Sequence, residues 1–481
     1  MNGRAEDRFD GTPQAAAGEQ RGSVGVWNLL VIAAVLVNAT FETMLVPAIP
    51  LIREDLRLTA PQSAWVLTAF MLAAAVSLPI VGKLGDIFGS ERVLTAVFGA
   101  LTVGVILPPL GNSFAALVAG QALQGLGVSL VPLGVALLTK QRGEGGEVRT
   151  AGIMTAGAVS TALGMVLAGV LLGFVSYQTL YWIAALPNCL IVISALCMIA
   201  RRGGDDRRTG EAEKIDWVGA ILFGGSLLAI LLGLGAMEEG GWRSPLAATL
   251  VALGGLLGLL GIMWARSAKF PLIDVALLRT PAVNRVALVQ LLSGFGTFAT
   301  FVAVPVLIQA PMASGGLGLD ASASGYALAP FGICCIVAPL FVASLRRLFG
   351  AGVVLFAASL VAVAGPALLL VSGGGGILMV GVAMGTLGFG IGLLLTQSFD
   401  LVGSTVAPHR VASIGSLIYV LKMVGAALGG QAAIAFIGPS PAAANFANAY
   451  ILATLAMTGA ALAAMTLLKQ SKGDMTNAGY A

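Results

Sequence analysis

Two charged side chains stand inside otherwise apolar stretches, and they set the chemistry open to this chain. Glu42 lies in Asn38-Ala-Thr40-Phe-Glu42-Thr43, fifteen residues past Trp27, roughly 22 Å along a helix and in the outer half of a membrane span. A lone carboxylate in hydrocarbon is costly when charged, which suits it to bind and release a proton, to bind a cation, or to do both in competition; the alternative is a structural hydrogen bond or ion pair. Asn38 lies one turn earlier on the same face. Lys422 stands about 16 Å into a later apolar run, on a helix face shared with Gly415 and Tyr419. A Glu42–Lys422 pair would offset the desolvation of both and open on protonation; otherwise Lys422 is free to bind an anionic substrate. Gln121 and Gln124 place amides on one helical face, and Gln290, Thr297, Thr396 and Gln397 offer polar groups from the second half of the chain. Such groups either line a substrate cavity or bond to neighbouring helices. No GxSxG, HExxH, Walker A or zinc-spaced cysteine pattern occurs, so no enzyme, metal or cofactor is expected. The one histidine, His409, falls in a polar connection, and Cys189, Cys197, Cys334 and Cys335 fall in apolar runs and read as packed thiols.

The elements that must position these residues follow from composition. Of 481 residues only 10% are charged and 58% are apolar, with a mean hydropathy of +0.95. Ordinary soluble proteins carry about 25% charge, so most of this chain must face lipid or other helices. Fourteen apolar segments, each near the ~20 residues a span needs, lie near 27–50, 63–83, 93–111, 114–138, 151–174, 180–200, 217–236, 246–265, 284–309, 325–344, 351–371, 376–398, 411–436 and 446–468. Both faces of these segments are apolar, unlike amphipathic soluble helices. Glycine, at 65 residues, recurs with Ala and Ser at three- and four-residue spacing, the signal of close helix packing in lipid. Gly385, Gly388, Gly390 and Gly392 lack nucleotide-loop spacing and read as packing positions too.

Orientation comes from the basic residues. With the N-terminus in the cytoplasm, 22 of the 26 Lys and Arg fall on the cytoplasmic side, three (Arg53, Arg57 and Arg243) fall outside, and Lys422 is within a span. An odd number of spans would scramble that segregation, so both termini are expected inside, in a multi-pass plasma-membrane protein. A weak internal repeat links 79–94 with 339–355: an apolar helix, a short charged turn ending Phe-Gly, then another apolar helix. The expected fold class is therefore an all-α membrane protein of fourteen transmembrane helices, two six-helix pseudo-symmetric bundles plus two inserted helices. Its parts are a cytoplasmic disordered tail (1–25), an N-terminal bundle (26–200), a connector (201–216), inserted helices (217–265), an amphipathic linker (266–283), a C-terminal bundle (284–468) and a cytoplasmic tail (469–481).

At this point the chain resembles the major facilitator superfamily, and within it the fourteen-span drug:proton antiporter branch. The most specific match is Gly82-Lys-Leu-Gly-Asp86-Ile-Phe-Gly89-Ser-Glu-Arg92, the superfamily's signature between spans two and three. Further matches are Trp65-Val-Leu-Thr-Ala-Phe70, Leu123-Gln124-Gly125-Leu126-Gly127, Gly240-Gly241-Trp242 and Phe270-Pro271-Leu272-Ile273-Asp274. The resemblance implies that the signature is a latch holding the cytoplasmic side shut. Gly82 and Gly89 would permit a tight turn, and Asp86, just before a helix, would meet Arg410 or the helix N-terminus beside it. This copy lacks the usual basic residues at Ile87, Ser90 and Glu91. The branch's intramembrane acid falls one position earlier, at Phe41; its span-four arginine aligns with Gln121, and its span-five Gly-Pro reads Gly164-Met165. What the resemblance implies is a proton-driven exporter of amphipathic organic compounds such as antibiotics or toxic cations, working by alternating access. Its partners would be a small-molecule substrate, protons and the lipid bilayer, with no nucleic acid and a monomeric functional unit. A narrow carrier for an anionic or neutral metabolite, and a transporter-like receptor that binds without turnover, stay open as alternatives.

Overall fold

A computed structural model describes residues 13–140, 146–201, 215–240, 244–268, 271, 275–373, 375–405, 408–438 and 443–477. They form sixteen α-helices and no strand: α1 (Pro13–Asp55), α2 (Ala60–Phe88), α3 (Ser90–Gly111), α4 (Phe114–Gly125), α5 (Leu130–Lys140), α6 (Gly146–Leu171), α7 (Tyr177–Arg201), α8 (Trp217–Gly240), α9 (Pro245–Ser267), α10 (Pro281–Gln309), α11 (Ala321–Val337), α12 (Pro339–Phe349), α13 (Ala351–Ser372), α14 (Ile377–Thr405), α15 (Pro408–Ile437) and α16 (Ala443–Asn477). Twelve segments among the described residues are long and apolar enough to cross a membrane. The bent pair α11–α12 makes a thirteenth if taken as one span.

Local sequence explains where the helices begin, bend and end. Thr59 caps α2 in a reciprocal box: its hydroxyl accepts from the Gln62 N–H (3.4 Å) while its own N–H donates to Gln62 Oε1 (2.9 Å). Asp320 and Ser113 cap α11 and α4 through single side-chain acceptors. The expected span 114–138 is divided, because Leu126–Ser129 tightens to a 3-10 turn just ahead of Pro132. The expected span 325–344 bends by 51° where Pro339 opens α12. Proline lacks the N–H that would continue α11 and its ring crowds the preceding turn. Several helices also outrun the apolar runs that announced them; α2 continues from the run at 63–83 to Phe88. Hydropathy marks the part of a helix in hydrocarbon, and hydrogen bonding carries the helix beyond it.

Two turns match closely. Gly89 joins α2 to α3 with φ +88°, and Gly350 joins α12 to α13 with φ +82°; each follows a phenylalanine that ends a helix. Only glycine reaches this backbone region without strain, and both turns fall in the repeat at 79–94 and 339–355.

Packing runs through small residues. In the first half α1 lies against α6 and α7, α2 against α4, and α3 against α4 and α7. In the second half α10 lies against α15 and α16, α11 against α14, and α13 against α14 and α16. Gly388 packs on the Phe331 backbone, Gly390 on Ala362 and Gly392 on Cys335 and Ala338, which makes this glycine run a helix-packing device. The halves meet where α2 crosses α15, where α6 crosses α11, and where α1 touches α10 and α11. One apolar cluster spans them, joining Val46, Ile49, Leu67 and Met165 to Leu307, Ile308, Phe331 and Ile434. α8 and α9 form a hairpin whose α8 rests on both α2 and α15, with Leu227 and Leu231 sharing a cluster with Met71, Leu78, Val420 and Met423.

Candidate functional site

The first half holds the acidic site. Glu42 on α1 is buried at 9% exposure, and neither of its carboxylate oxygens has a hydrogen-bond partner. It lies close enough to Tyr181 on α7 to act on that hydroxyl electrostatically. The Tyr181 ring is fully buried, edge-on to Phe41 with 4.8 Å between centroids, and its hydroxyl accepts from Gln121 Nε2 at 3.1 Å. Gln121 Oε1 has no partner. One turn before Glu42, Asn38 Nδ2 donates to the Ala34 carbonyl (2.8 Å) and to Asn188 Oδ1 (3.1 Å), tying α1 to α7, while Asn38 Oδ1 is unpartnered. Buried polar atoms are normally hydrogen-bonded, and here Glu42, Gln121 and Asn38 leave oxygens without a protein partner, which makes this the candidate site in the first half. α1 can approach α6 here because Gly164 packs directly on Thr40 and Thr43.

The second half holds the basic site. Lys422 on α15 is half-buried, and its ammonium sits 5.9 Å from the centroid of the Tyr419 ring, a cation–π contact. The α15 backbone is pinned at this level, since Gly294 packs against the Lys422 carbonyl and Gly425 against that of Leu291. The shared face expected for Tyr419 and Lys422 is present.

Several expectations are corrected. Glu42 and Lys422 form no ion pair; each stays inside its own half, Glu42 on α1 and Lys422 beside Tyr419 on α15. Gln124 takes the helix-bonding alternative with its Nε2, which donates to the Leu101 carbonyl at 2.7 Å and bonds α4 to α3. Thr297 and Thr396 return their hydroxyls to their own helices, at the carbonyls of Ser293 (2.7 Å) and Gly392 (3.0 Å). Gln290 Oε1 accepts from Ser293 Oγ (3.2 Å), leaving Nε2 unmet, and Gln397 is fully buried with both polar atoms unmet. Asp86 lies in the last turn of α2, four residues ahead of α3, because α2 continues to Phe88 before the Gly89 turn. Gly82 has open space where a Cβ would stand, whereas Gly85 meets Leu133 there at 2.6 Å, so the packing glycine of the signature is Gly85. Arg92 is exposed, and the side chains of Asp86 and Arg410 lie outside the described residues, as do His409's side chain and most of the connector 201–216. The cysteines are free thiols, with Cys197 exposed and not packed.

Sequence reasoning missed four polar groups that the structure makes prominent. Tyr181 and Asn188 complete the acidic site. Gln431 Nε2 donates to Thr68 Oγ1 (3.1 Å) across the α15–α2 seam. Gln309 Nε2 donates to the Pro47 carbonyl (3.2 Å) and Ser324 Oγ (3.0 Å), joining α10 and α11 to α1. Each is an amide, hydroxyl or phenol inside an apolar run, and that was the available signal. A cavity of about 200 Å³ lies beside this second bridge, lined by Arg53, Ser63 and Gln309 among others. A larger groove of about 750 Å³ lies on the flank of the second half between α11 and α14; it is apolar and includes none of the candidate residues.

Comparison with known proteins places this geometry. The profile of the Major Facilitator Superfamily matches residues 31–430. The chain is similar to the Cephamycin export protein CmcT of Amycolatopsis lactamdurans, 31% identical over 78% of this chain and 72% of that protein. It is similar to the Puromycin resistance protein pur8 of Streptomyces alboniger, 29% identical over 84% and 80%, and to the Tetracenomycin C resistance and export protein of Streptomyces glaucescens, 26% over 89% and 79%. Among solved structures it is similar in fold to the POT family transporter PepTSo, with a TM-score of 0.60 at 15% identity over 92% of this chain and 98% of that one. The nucleoside transporter NupG gives 0.58 at 13%, over 92% and 99%. A helical chain with twelve or more apolar spans, the signature ending in the Gly89 turn, and this kinship belongs to the Major Facilitator Superfamily of membrane transporters.

Proposed function

We propose that this transporter exports amphipathic organic compounds, antibiotics among them, in exchange for protons. The observation that carries export is the series of relatives named for antibiotic export and resistance, each matched over most of its length. The proton part rests on Glu42: a buried carboxylate whose two oxygens have no protein partner is costly when charged and readily neutralised, which suits it to carry a proton. Asn38, Gln121 and Tyr181 form its polar surround, with Gln290, Gln397, Tyr419 and Lys422 facing from the second half.

The architecture we propose has fourteen spans, counting α6 and the α11–α12 pair, in two six-helix bundles with α8–α9 inserted. The recurring pairings within each half and the matched Phe-Gly turns support a parallel repeat. The distribution of Lys and Arg supports cytoplasmic termini, and short loops favour a single chain in the plasma membrane as the functional unit. In that orientation the Gln309–Pro47 bridge and the Val46–Ile434 cluster close the outer end, and the rocking of one half on the other opens it. The signature at Gly82, Asp86, Gly89 and Arg92, with Arg410 opposite, would latch the cytoplasmic end in the alternate state. A susceptibility panel comparing cells with and without the gene, followed by gradient-dependent efflux of any compound that scores, tests the reading. Equal susceptibility across the panel, with no gradient-dependent efflux, contradicts it.

A further inference from the structure

The acidic half of the site has its orphaned oxygens, but the basic half has a different deficit. Lys422 keeps an ammonium inside a span where no described side chain offers it a carboxylate. The one acidic residue within the apolar runs is Glu42, and it is sealed in the other half beside Tyr181. The remaining described acids stand at helix ends or loops, and Asp400 is engaged with Arg346 at 3.4 Å. The α15 backbone that carries the lysine is closely packed at this level, where Gly294 meets the Lys422 carbonyl. Its side chain is partly exposed. The rings of Tyr419 and Phe298 are partly buried against the same apolar cluster, and the ammonium stands over the first of them.

We propose that Lys422 is a recognition subsite for an anionic group on the cargo, and that the preferred substrates are aromatic or otherwise amphipathic carboxylates. A charge in an apolar interior calls for an opposite charge, and beyond the cation–π contact with Tyr419 no described carboxylate in its own half supplies one. The aromatic platform suits the apolar body of such a molecule, and the ammonium supplies a charge-assisted hydrogen bond to the carboxylate. The inference rests on the exporter reading in one respect: the anion is taken to be cargo.

The test uses purified full-length protein and two probes of one shape, 2-naphthoate and 2-naphthamide, each titrated while thermal unfolding is followed. Wild-type protein is stabilised by the acid and not by the amide. Lys422→Met weakens the response to the acid about tenfold or more, the loss expected for a hydrogen bond to a charged group. It leaves the unliganded unfolding temperature near wild type. Should Lys422→Met fail to fold, Lys422→Gln carries the same comparison. Loss of a merely structural lysine would lower the unliganded unfolding temperature and leave the preference for the acid over the amide unchanged. No preference for the acid in wild type, or an undiminished preference in the variant, overturns the proposal. Binding lost in Lys422→Met and kept in Glu42→Gln assigns the subsite whether or not protons drive export, which keeps this outcome separate from a failure of the coupling.

Discussion

The α6–α11 seam gives the sharpest test of the packing, at Gly325. A Cβ added there meets the Gly169 N and Cα and comes to 2.9 Å from the Ala168 carbonyl carbon. All three are backbone atoms, so no side-chain rotation relieves the clash and the two helices must move apart. Overpacking of this kind costs roughly 1–3 kcal/mol, and rigid neighbours put Gly325→Ala at or above the top of that range. Gly82→Ala is the internal control. Gly82 is helical with open space around it, so alanine there gains up to about 1 kcal/mol of helix propensity. Equilibrium unfolding in mixed detergent, read by circular dichroism, should order the proteins as Gly82→Ala at or above wild type and Gly325→Ala well below. A Gly325→Ala protein as stable as wild type would refute the backbone contact, and with it the account of how the halves touch at this seam.

Two further predictions concern buried polar bonds. Tyr181→Phe removes the acceptor of Gln121 Nε2 and should cost about 1–3 kcal/mol of stability; adding Gln121→Leu should recover part of it, as an unfolding double-mutant cycle would register. The Gln431–Thr68 bond across the halves should show a coupling energy of about 0.6 to 1.7 kcal/mol when Gln431→Leu and Thr68→Val are combined. Additive losses in that cycle would mean the bond does not hold the seam.

Much of the fold was legible in the sequence because membrane spans announce themselves by length and hydropathy. The apolar runs fell on helices, and the Phe88-Gly89 and Phe349-Gly350 repeat fell on matching turns. What hydropathy could not carry was geometry inside a span. The bend at Pro339 and the 3-10 turn before Pro132 depend on how neighbours accept freed backbone groups. The candidate site was legible as residue types and not as partnerships. Glu42 and Lys422 stood out as charges in apolar runs, but opposite charge says nothing about distance, and the fold keeps them in separate halves. Gln124 shows the same limit: an amide on an apolar helix looks identical in sequence whether it faces a cavity or the Leu101 carbonyl.

In the proposed exchange Glu42 carries the proton. Reconstituted protein in vesicles loaded with a pH-sensitive dye should move protons when a transported compound is added on one side, and Glu42→Gln should abolish that movement while still binding the compound. Substrate-induced proton flux equal to wild type in Glu42→Gln would contradict the account.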